Sequence, residues 1–422
     1  MNTIAYIANE FPSSVEPYVI DEIAELRRRG LKVVCCSGKR VAPNDLSLAE
    51  RAYWKETRFF HPLSDHALMR AAGRLASDRR KLWQLLRPLL LDPGASPSLR
   101  LRALGHTLMG SALADELAVL NVQHIHAHHG YFASWMALVA ARLLGIGFSF
   151  TLHGSDLLHR ADLLGTKLQA CRFCATISDF NRNYILRNYP SVPPEKVVVQ
   201  RLGVDRVLPG PTDSSTSEAD HRPFCLLAVG RLHRVKDYGF LIRACATFRA
   251  QGLDFLCWIV GEGPERTALE RQVRKLQLQG YVHMAGHVPH ADLAAYYRYA
   301  DLVVITSKSE GIPVVLMEAM SQEKLVLAPD ITGIPELVEH QQTGFLYQQG
   351  SLPSFINAVN WIYANQAFLA GIRRAAAAKV ADSYNRQRNL LAFVEQFLTR
   401  IPQLESGGNH AHSVLQQVRL SV

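Results

Sequence analysis

The chain has 422 residues, 48% of them hydrophobic and 20% charged, a balance typical of a soluble enzyme of two or three domains. Seven cysteines without disulfide-like spacing argue against a disulfide scaffold and for a reducing cytosol. The net charge of +9 points to acidic partners such as phosphates or anionic lipid, and nucleic acid is set aside because no binding motif accompanies the charge.

The start, "MNTIAYIANEF", has no basic segment and too short an apolar core for a signal peptide. It reads instead as a strand, followed by the helix "EPYVIDEIAELRRRG" and the strand "LKVVCCS". From residue 70 to 102 comes a basic run, Arg70, Arg74, Arg79, Arg80, Lys81, Arg87, Arg100 and Arg102, mixed with Trp83 and several leucines. It reads as one basic amphipathic helix. Two roles fit it: lying on an anionic membrane surface, or a solvated face packed on its own domain. "SWMALVAARLLGIGFSFTL" is long enough to suggest a membrane span, but Arg142 and two glycines break it into helix, turn and buried strand.

Further strands are "HIHAHH", "GFSFTLHG", "FCATIS" and "VVVQRLG". Short buried strands alternating with helices indicate a parallel sheet. Residues 206–222 have linker composition, after which the rhythm restarts with "PFCLLAVG", "LDFLCWIVG", "YVHMAG", "DLVVITS", "KLVLAP" and "GFLY". The expected fold is α/β: two doubly wound, Rossmann-like domains, 1–205 and 223–380, facing across a cleft. Residues 381–422 would be a C-terminal helix and tail packing on either domain. Cys171 and Cys174 form a C-x-x-C with no second pair, so both are expected in the core.

Three strand ends of the second half carry polar groups. After Gly230, Arg231 and Lys236 can converge on a diphosphate, one as a fork of donors and one as a point charge. In "WIVGEGPE", Gly261 and Gly263 bracket Glu262 in a turn that admits close backbone approach, and Pro264 suits a first helical turn. In "SKSEGIPVVLMEAM", Glu310 and Gly311 lie in a loop, and Ile312, Pro313 and Val314 open a helix whose N-terminus suits a phosphate. Glu318, about two turns along, can reach a ribose diol, because an ionised carboxylate in an apolar wall needs hydroxyl donors; the plainer alternative is a pairing with a nearby basic residue. Glu310 can accept from sugar hydroxyls.

The spacing "EGIPVVLME", with "GRLHRVKD", "VGEGPE" and "GIPELVEHQQTGFLY", resembles the signature of retaining glycosyltransferases of family four, which have the GT-B fold. "FPSSVEPYVIDEI", "HIHAHHGYFAS", "TLHGSDL" and "RLGVD" look like the branch that builds bacterial exopolysaccharides such as colanic acid. The resemblance implies a nucleoside-diphosphate-sugar donor, with Arg231 and Lys236 on the diphosphate, Glu318 on the ribose and Glu310 on the transferred sugar. One departure is Asp237, where the family often has glycine; it adds a negative charge beside the diphosphate. His153 would contact the donor sugar from across the cleft, donating a hydrogen bond to a sugar hydroxyl, with Asp156 supporting it and fixing its tautomer. The acceptor implied is a glycan or lipid-linked glycan, met in the cytoplasm or on the inner face of the membrane.

Strand alternation puts His124, His126 and His128 on one face and His129 on the other. Same-face neighbours about 7 Å apart fit a single zinc ion poorly, so no metal is expected. His128 and His129 are candidates for the acceptor side, with Ser13, Ser14 and Glu16 of the first loop; Glu16 contacts acceptor hydroxyls or caps the following helix. No D-x-D occurs, so no metal clamp or other cofactor is expected, and Arg231, Lys236 and the helix dipole would neutralise the leaving diphosphate. Other readings stay open: another GT-B enzyme such as an epimerase, or a non-catalytic sugar-nucleotide-binding partner of a polysaccharide assembly.

Overall fold

The computed structural model describes residues 2–13, 16–43, 46–91, 96–158, 161–205 and 222–401. Ser14, most of the 206–222 linker and the tail beyond 401 therefore lie outside the described residues.

Long apolar runs form the strands, as parallel sheets covered on both faces require. The first sheet contains β1 (Thr3–Glu10), β2 (Lys32–Lys39), β3 (Arg58–Phe59), β4 (His124–His128), β5 (Gly147–Leu152), β6 (Cys174–Thr176) and β7 (Val197–Val199). Its spatial order is β3-β2-β1-β4-β5-β6-β7, all parallel. Ile4 pairs with His124 and Ile7 with Ala127, so the carboxyl ends of β1 and β4 emerge side by side where the winding reverses. The second sheet contains β8 (Phe224–Val229), β9 (Phe255–Val260), β10 (Val282–Gly286), β11 (Leu302–Val304), β12 (Leu325–Pro329) and β13 (Phe345–Tyr347). Its order is β10-β9-β8-β11-β12-β13, again parallel, with the reversal between β8 and β11.

Contacts divide the described chain into two units: residues up to Ile177, Asn181–Gln200 and Leu390 onward form the first, Ser178–Phe180 and Arg201–Asn389 the second. In the C-terminal helix Arg386–Thr399, Phe393, Val394 and Phe397 are buried, with Ile401 just beyond, among Ile4, Tyr6, Ile23 and Phe173 of the first unit. The opposite face of that sheet is covered by the helices Pro97–Val119 and Phe132–Leu144. The latter ends at Gly145, φ +72°, a left-handed stop, before β5 begins. This is the helix, turn and buried strand expected of that apolar stretch, and no helix among the described residues is long and apolar enough to cross a membrane.

The basic run is not one helix. It spans the helices Asp65–Ser77, Arg79–Leu91 and the start of Pro97–Val119, with Ser64 and Ser96 capping the first and third. Leu85 and Leu86 turn into the core and Arg74 pairs with Asp115 at 2.6 Å, while Arg79, Arg80, Arg87, Trp83, Leu91 and Leu101 stay exposed. All seven cysteines are buried free thiols, and burial pushes Cys171 up to about 12, so the C-x-x-C is core.

Candidate functional site

In doubly wound sheets ligands bind beyond the carboxyl ends of the strands, where the winding reverses. In the second unit that point lies beyond β8 and β11, and Lys236 and Glu310 meet there. Lys236 Nζ stands 2.6 Å from Glu310 Oε1, to which Ser307 Oγ also donates. The two loops are tied by backbone: Lys308 N donates to Val235 O at 2.7 Å and Thr306 Oγ1 to Lys236 O at 2.9 Å. From the end of β12, Thr332 Oγ1 donates to Glu310 O at 2.7 Å and braces the loop from the far side. Arg231 is exposed, and among the described residues its guanidinium has no hydrogen-bond or ion-pair partner.

Gly230, Gly261 and Gly263 have φ of +154°, +143° and +158°. A Cβ on Gly261 would stand 2.1 Å from Gly230 O, and one on Gly263 would stand 2.4 Å from Leu232 O. The turn after β9 thus packs backbone to backbone on the turn after β8, and any side chain would force the two loops apart. Pro264 precedes the helix Arg266–Lys275 rather than entering its first turn.

Asp237 has φ +49° and ψ +46°, the left-handed region where glycine is cheapest and Asp and Asn are the best tolerated alternatives. The departure from the family pattern is therefore a backbone matter, and the extra charge is met by Lys308 at 3.3 Å.

Pro313 stands at the N-cap position of the helix Val314–Ser321 without a side-chain cap bond, with Gly311 and Ile312 just before it. Glu318, 15% exposed, takes a hydrogen bond from Tyr297 OH at 2.6 Å and faces the exposed ring of His290 at 2.9 Å. The plainer alternative, a nearby basic partner, is met by the His290 ring alone among the described residues. Burial, and then the Glu318 carboxylate, hold the Tyr297 hydroxyl well above its ordinary pKa. Sequence reasoning gave no role to Tyr297, His290, Ser307 or Thr332, although Ser307 opens the quoted stretch that holds Glu310 and Glu318.

In the first unit the reversal lies beyond β1 and β4. Glu16, from the loop after β1, reaches His129 just past β4; it stands at the cap of the helix Pro17–Arg28 but makes no side-chain cap bond. Its two alternatives thus resolve away from capping. Ser13 lies in the same loop, its carbonyl accepting from Glu16 N at 3.0 Å. His129 has φ +70°, and its Nδ1 lies 3.5 Å from Asp156 Oδ2. Burial works against its charge, yet the carboxylates of Asp156 and Glu16 outweigh this and push it up to about 10.

Asp156 is fully buried and accepts from the backbone amides of Gly130, His153 and Gly154 at 2.8–3.0 Å. Burial opposes its charge, but His129 holds it well below the usual carboxylate range. Here the expectation needs correcting: Asp156 secures the loop backbone and His129, not the imidazole of His153. Lys167, buried, donates to Gly130 O and Tyr131 O from beneath the same loop, and burial takes it down to about 7.

His124, His126 and His128 share one buried face, as alternation requires. His126 is satisfied at both nitrogens by Ser149 Oγ at 2.8 Å and Thr151 Oγ1 at 3.0 Å. His128 bridges Glu22 Oε2 at 3.1 Å and His153 Nε2 at 3.3 Å. Burial and then the rings of His129 and His128 hold His153 well below its ordinary value. Glu22, His126 and His128 offer ligand atoms within 4.8 Å of one another; side-chain reach brings the two histidines' nitrogens closer than their backbone spacing of about 7 Å, and Glu22 joins them from the covering helix. Glu22 too was missed, although it has a signal: it stands among Val19, Ile23 and Leu26 on the apolar stripe of its helix.

Comparison with known proteins agrees with this architecture. Residues 15–207 match the family described as Glycosyltransferase Family 4, and residues 211–379 match Glycosyl transferases group 1. The amylovoran biosynthesis glycosyltransferase AmsK of Erwinia amylovora is 26% identical over 402 residues, 91% of this chain and 96% of that one. The putative colanic acid biosynthesis glycosyltransferase WcaL of Escherichia coli is 32% identical over 206 residues, 46% of this chain and 49% of that one. Among solved structures, sucrose-phosphate synthase of Thermosynechococcus elongatus aligns with a TM-score of 0.72 at 18% identity, over 97% of this chain and 100% of that one. Anabaena HepE in complex with UDP aligns with a TM-score of 0.68 at 19% identity, over 94% of this chain and 100% of that one. Two parallel Rossmann-like sheets, two successive glycosyltransferase family matches and a near full-length glycosyltransferase relative lead to one statement: the chain is a glycosyltransferase of the GT-B fold.

Proposed function

We propose that the enzyme transfers a sugar, with retention at the anomeric carbon, from a nucleoside-diphosphate sugar to a glycan or lipid-linked glycan during exopolysaccharide assembly. The observation that carries this is the switch point of the second sheet, where Lys236 lies against Glu310 and Arg231 stands exposed, without an ion-pair partner among the described residues. Lys236 and Arg231 take the diphosphate. Their stabilisation is greatest on the leaving group, where charge grows in the transition state. Glu310 accepts from the transferred sugar, and Glu318, oriented by Tyr297, accepts from the ribose. The same-face course, with the leaving phosphate taking the acceptor proton, follows the family resemblance, as does the assignment of His153 to the transferred sugar. Ser13, Glu16 and His129 are proposed for the acceptor side; His128, expected there from sequence, is buried with both nitrogens taken by Glu22 and His153 and is not assigned to it.

Neutralisation by Arg231, Lys236 and the Val314 helix end makes the reaction independent of a divalent metal. The relatives named for amylovoran and colanic acid biosynthesis support the pathway assignment. A place on the cytoplasmic membrane surface is supported by the exposed cations Arg79, Arg80 and Arg87 interleaved with Trp83 and Leu91. Each Lys or Arg near an anionic surface contributes about 1 kcal/mol, so three or four suffice for association at low salt.

A thermal-shift panel of UDP-, GDP- and ADP-sugars identifies the donor, since a ligand of the folded state raises Tm. Turnover of that donor with chelator present, and the anomeric configuration of the product by proton NMR, then test the chemistry. Activity that requires magnesium or manganese rules out the metal-free neutralisation, and an inverted product rules out same-face attack.

A further inference from the structure

The hydrogen-bond chain in the first unit runs in one direction. Tyr6 OH donates to Glu22 Oε2 at 3.3 Å, and the same oxygen faces His128 Nε2 at 3.1 Å. A carboxylate only accepts, so the proton of that second contact belongs to His128 Nε2. In the neutral ring, His128 Nδ1 then presents a lone pair. Its neighbour at 3.3 Å, His153 Nε2, must then carry a proton. This leaves His153 Nδ1 as a lone pair, buried and without a hydrogen-bond partner among the described residues. Burial and the neighbouring imidazoles disfavour a second proton on His153. His129, charged between Glu16 and Asp156, lies with its ring 4.6 Å from that of His153 and reinforces this.

We propose that Glu22 and His128 are positioning residues that fix the tautomer of His153, so that its Nδ1 accepts a hydrogen bond and the group it takes is a sugar hydroxyl. This rests on the transferase reading only for the identity of the hydroxyl. It reverses the polarity expected from sequence, in which His153 donates. It also accounts for Glu22. A carboxylate on the buried stripe of a helix is costly unless its acceptors are used, and here one oxygen orders Tyr6 and the imidazole chain. His124 Nδ1 is also open, but it lies at the amino end of β4 against Gly147 and Arg172, away from the ligand side of the sheet.

The experiment is histidine-selective nitrogen-15 NMR of the full chain without substrate. The expected spectrum shows His153 with an unprotonated, pyridine-type Nδ1 and a protonated Nε2. A protonated Nδ1 overturns the proposal. Tyr6→Phe removes one bond to Glu22 but leaves the relay, so it should lower Tm and leave the His153 pattern unchanged. Glu22→Leu should scramble that pattern; a variant that folds and keeps it also overturns the proposal. Should Glu22→Leu not fold, the unmodified chain still decides, since a His153 protonated at Nδ1 overturns the proposal there. Turnover is expected to follow: about tenfold lower kcat where the pattern is lost, with nucleoside diphosphate affinity unchanged. The spectrum decides the relay by itself, whereas absence of turnover with every nucleotide sugar bears on the transferase reading alone.

Discussion

Glu310→Gln should tighten nucleoside diphosphate binding while lowering turnover. In the free chain the Glu310 carboxylate sits 2.6 Å from Lys236 Nζ, with side-chain exposures of 12% and 27%. A phosphate that engages the other side of the ammonium comes within about 5 Å of that carboxylate. At an effective dielectric near 20, two like charges at that distance repel by about 3 kcal/mol, and partial exposure brings this to about 1–2 kcal/mol. The neutral amide keeps an oxygen for Lys236 and Ser307, so the loop should hold its shape. Affinity for the diphosphate should therefore rise about five- to thirtyfold. Turnover should fall about ten- to a hundredfold, because the transferred sugar loses a charged acceptor worth about 1.5–3 kcal/mol. Calorimetric titration of the free nucleoside diphosphate at low salt, set beside steady-state kinetics, reads both signs. Unchanged or weaker diphosphate binding in the variant would refute the idea that Glu310 and the phosphates compete for Lys236.

Glu318→Ala should weaken diphosphate binding about ten- to a hundredfold and also lower Tm, since it strands the buried Tyr297 hydroxyl; Tyr297→Phe should cost only a few fold, measured by the same titration. Arg231→Ala should lower kcat more than it raises KM, because the exposed guanidinium acts mainly on the leaving diphosphate; a pure KM effect in steady-state kinetics contradicts this. For His129 the folded pKa, about 10, lies above the unfolded value, so its contribution to stability is full below about pH 6.5 and is lost as pH rises through 10. The stability gap between wild type and His129→Gln in denaturant melts should accordingly shrink by a few kcal/mol from pH 6 to pH 10.5.

The second unit was the more legible half. Glu310 and Glu318 stood out because a carboxylate within an apolar run needs a reason, and Lys236 followed a strand end. Glu22 presented the same signal, a carboxylate on the stripe of Val19, Ile23 and Leu26, yet it could be recognised only by asking which helix face is buried. Its partner His128 is 106 residues away, and no local pattern encodes that contact. The basic run shows a different limit: charge density hides helix breaks, so three helices read as one. Asp237 looked like a misplaced charge because sequence displays side chains, whereas the constraint there is a positive φ. The apolar stripe of the C-terminal helix announced burial without saying against which sheet, and Phe393 and Phe397 answer that only in three dimensions.

Histidines are the residues most easily over-read, and β4 with its neighbour offers a physical criterion for sorting them. His126 has both nitrogens satisfied by hydroxyls of β5 and is ringed by Tyr6, Phe173, Phe393 and Phe397; it fills and orders the core. One step along the strand, His128 is also satisfied twice, but its partners are a carboxylate and another imidazole, so it transmits a preference instead of ending a network. At the carboxyl end His153 is satisfied once, and its second nitrogen is buried with nothing to bond among the described residues. A buried polar atom left unpaired costs about 1–3 kcal/mol, a cost that a ligand hydroxyl would remove on binding. The network is thus closed at its base and open at the end where a doubly wound sheet receives its substrates. That gradient along two adjacent strands, rather than the number of histidines, is what singles out His153 as the residue proposed to meet substrate and the others as those that hold it in place.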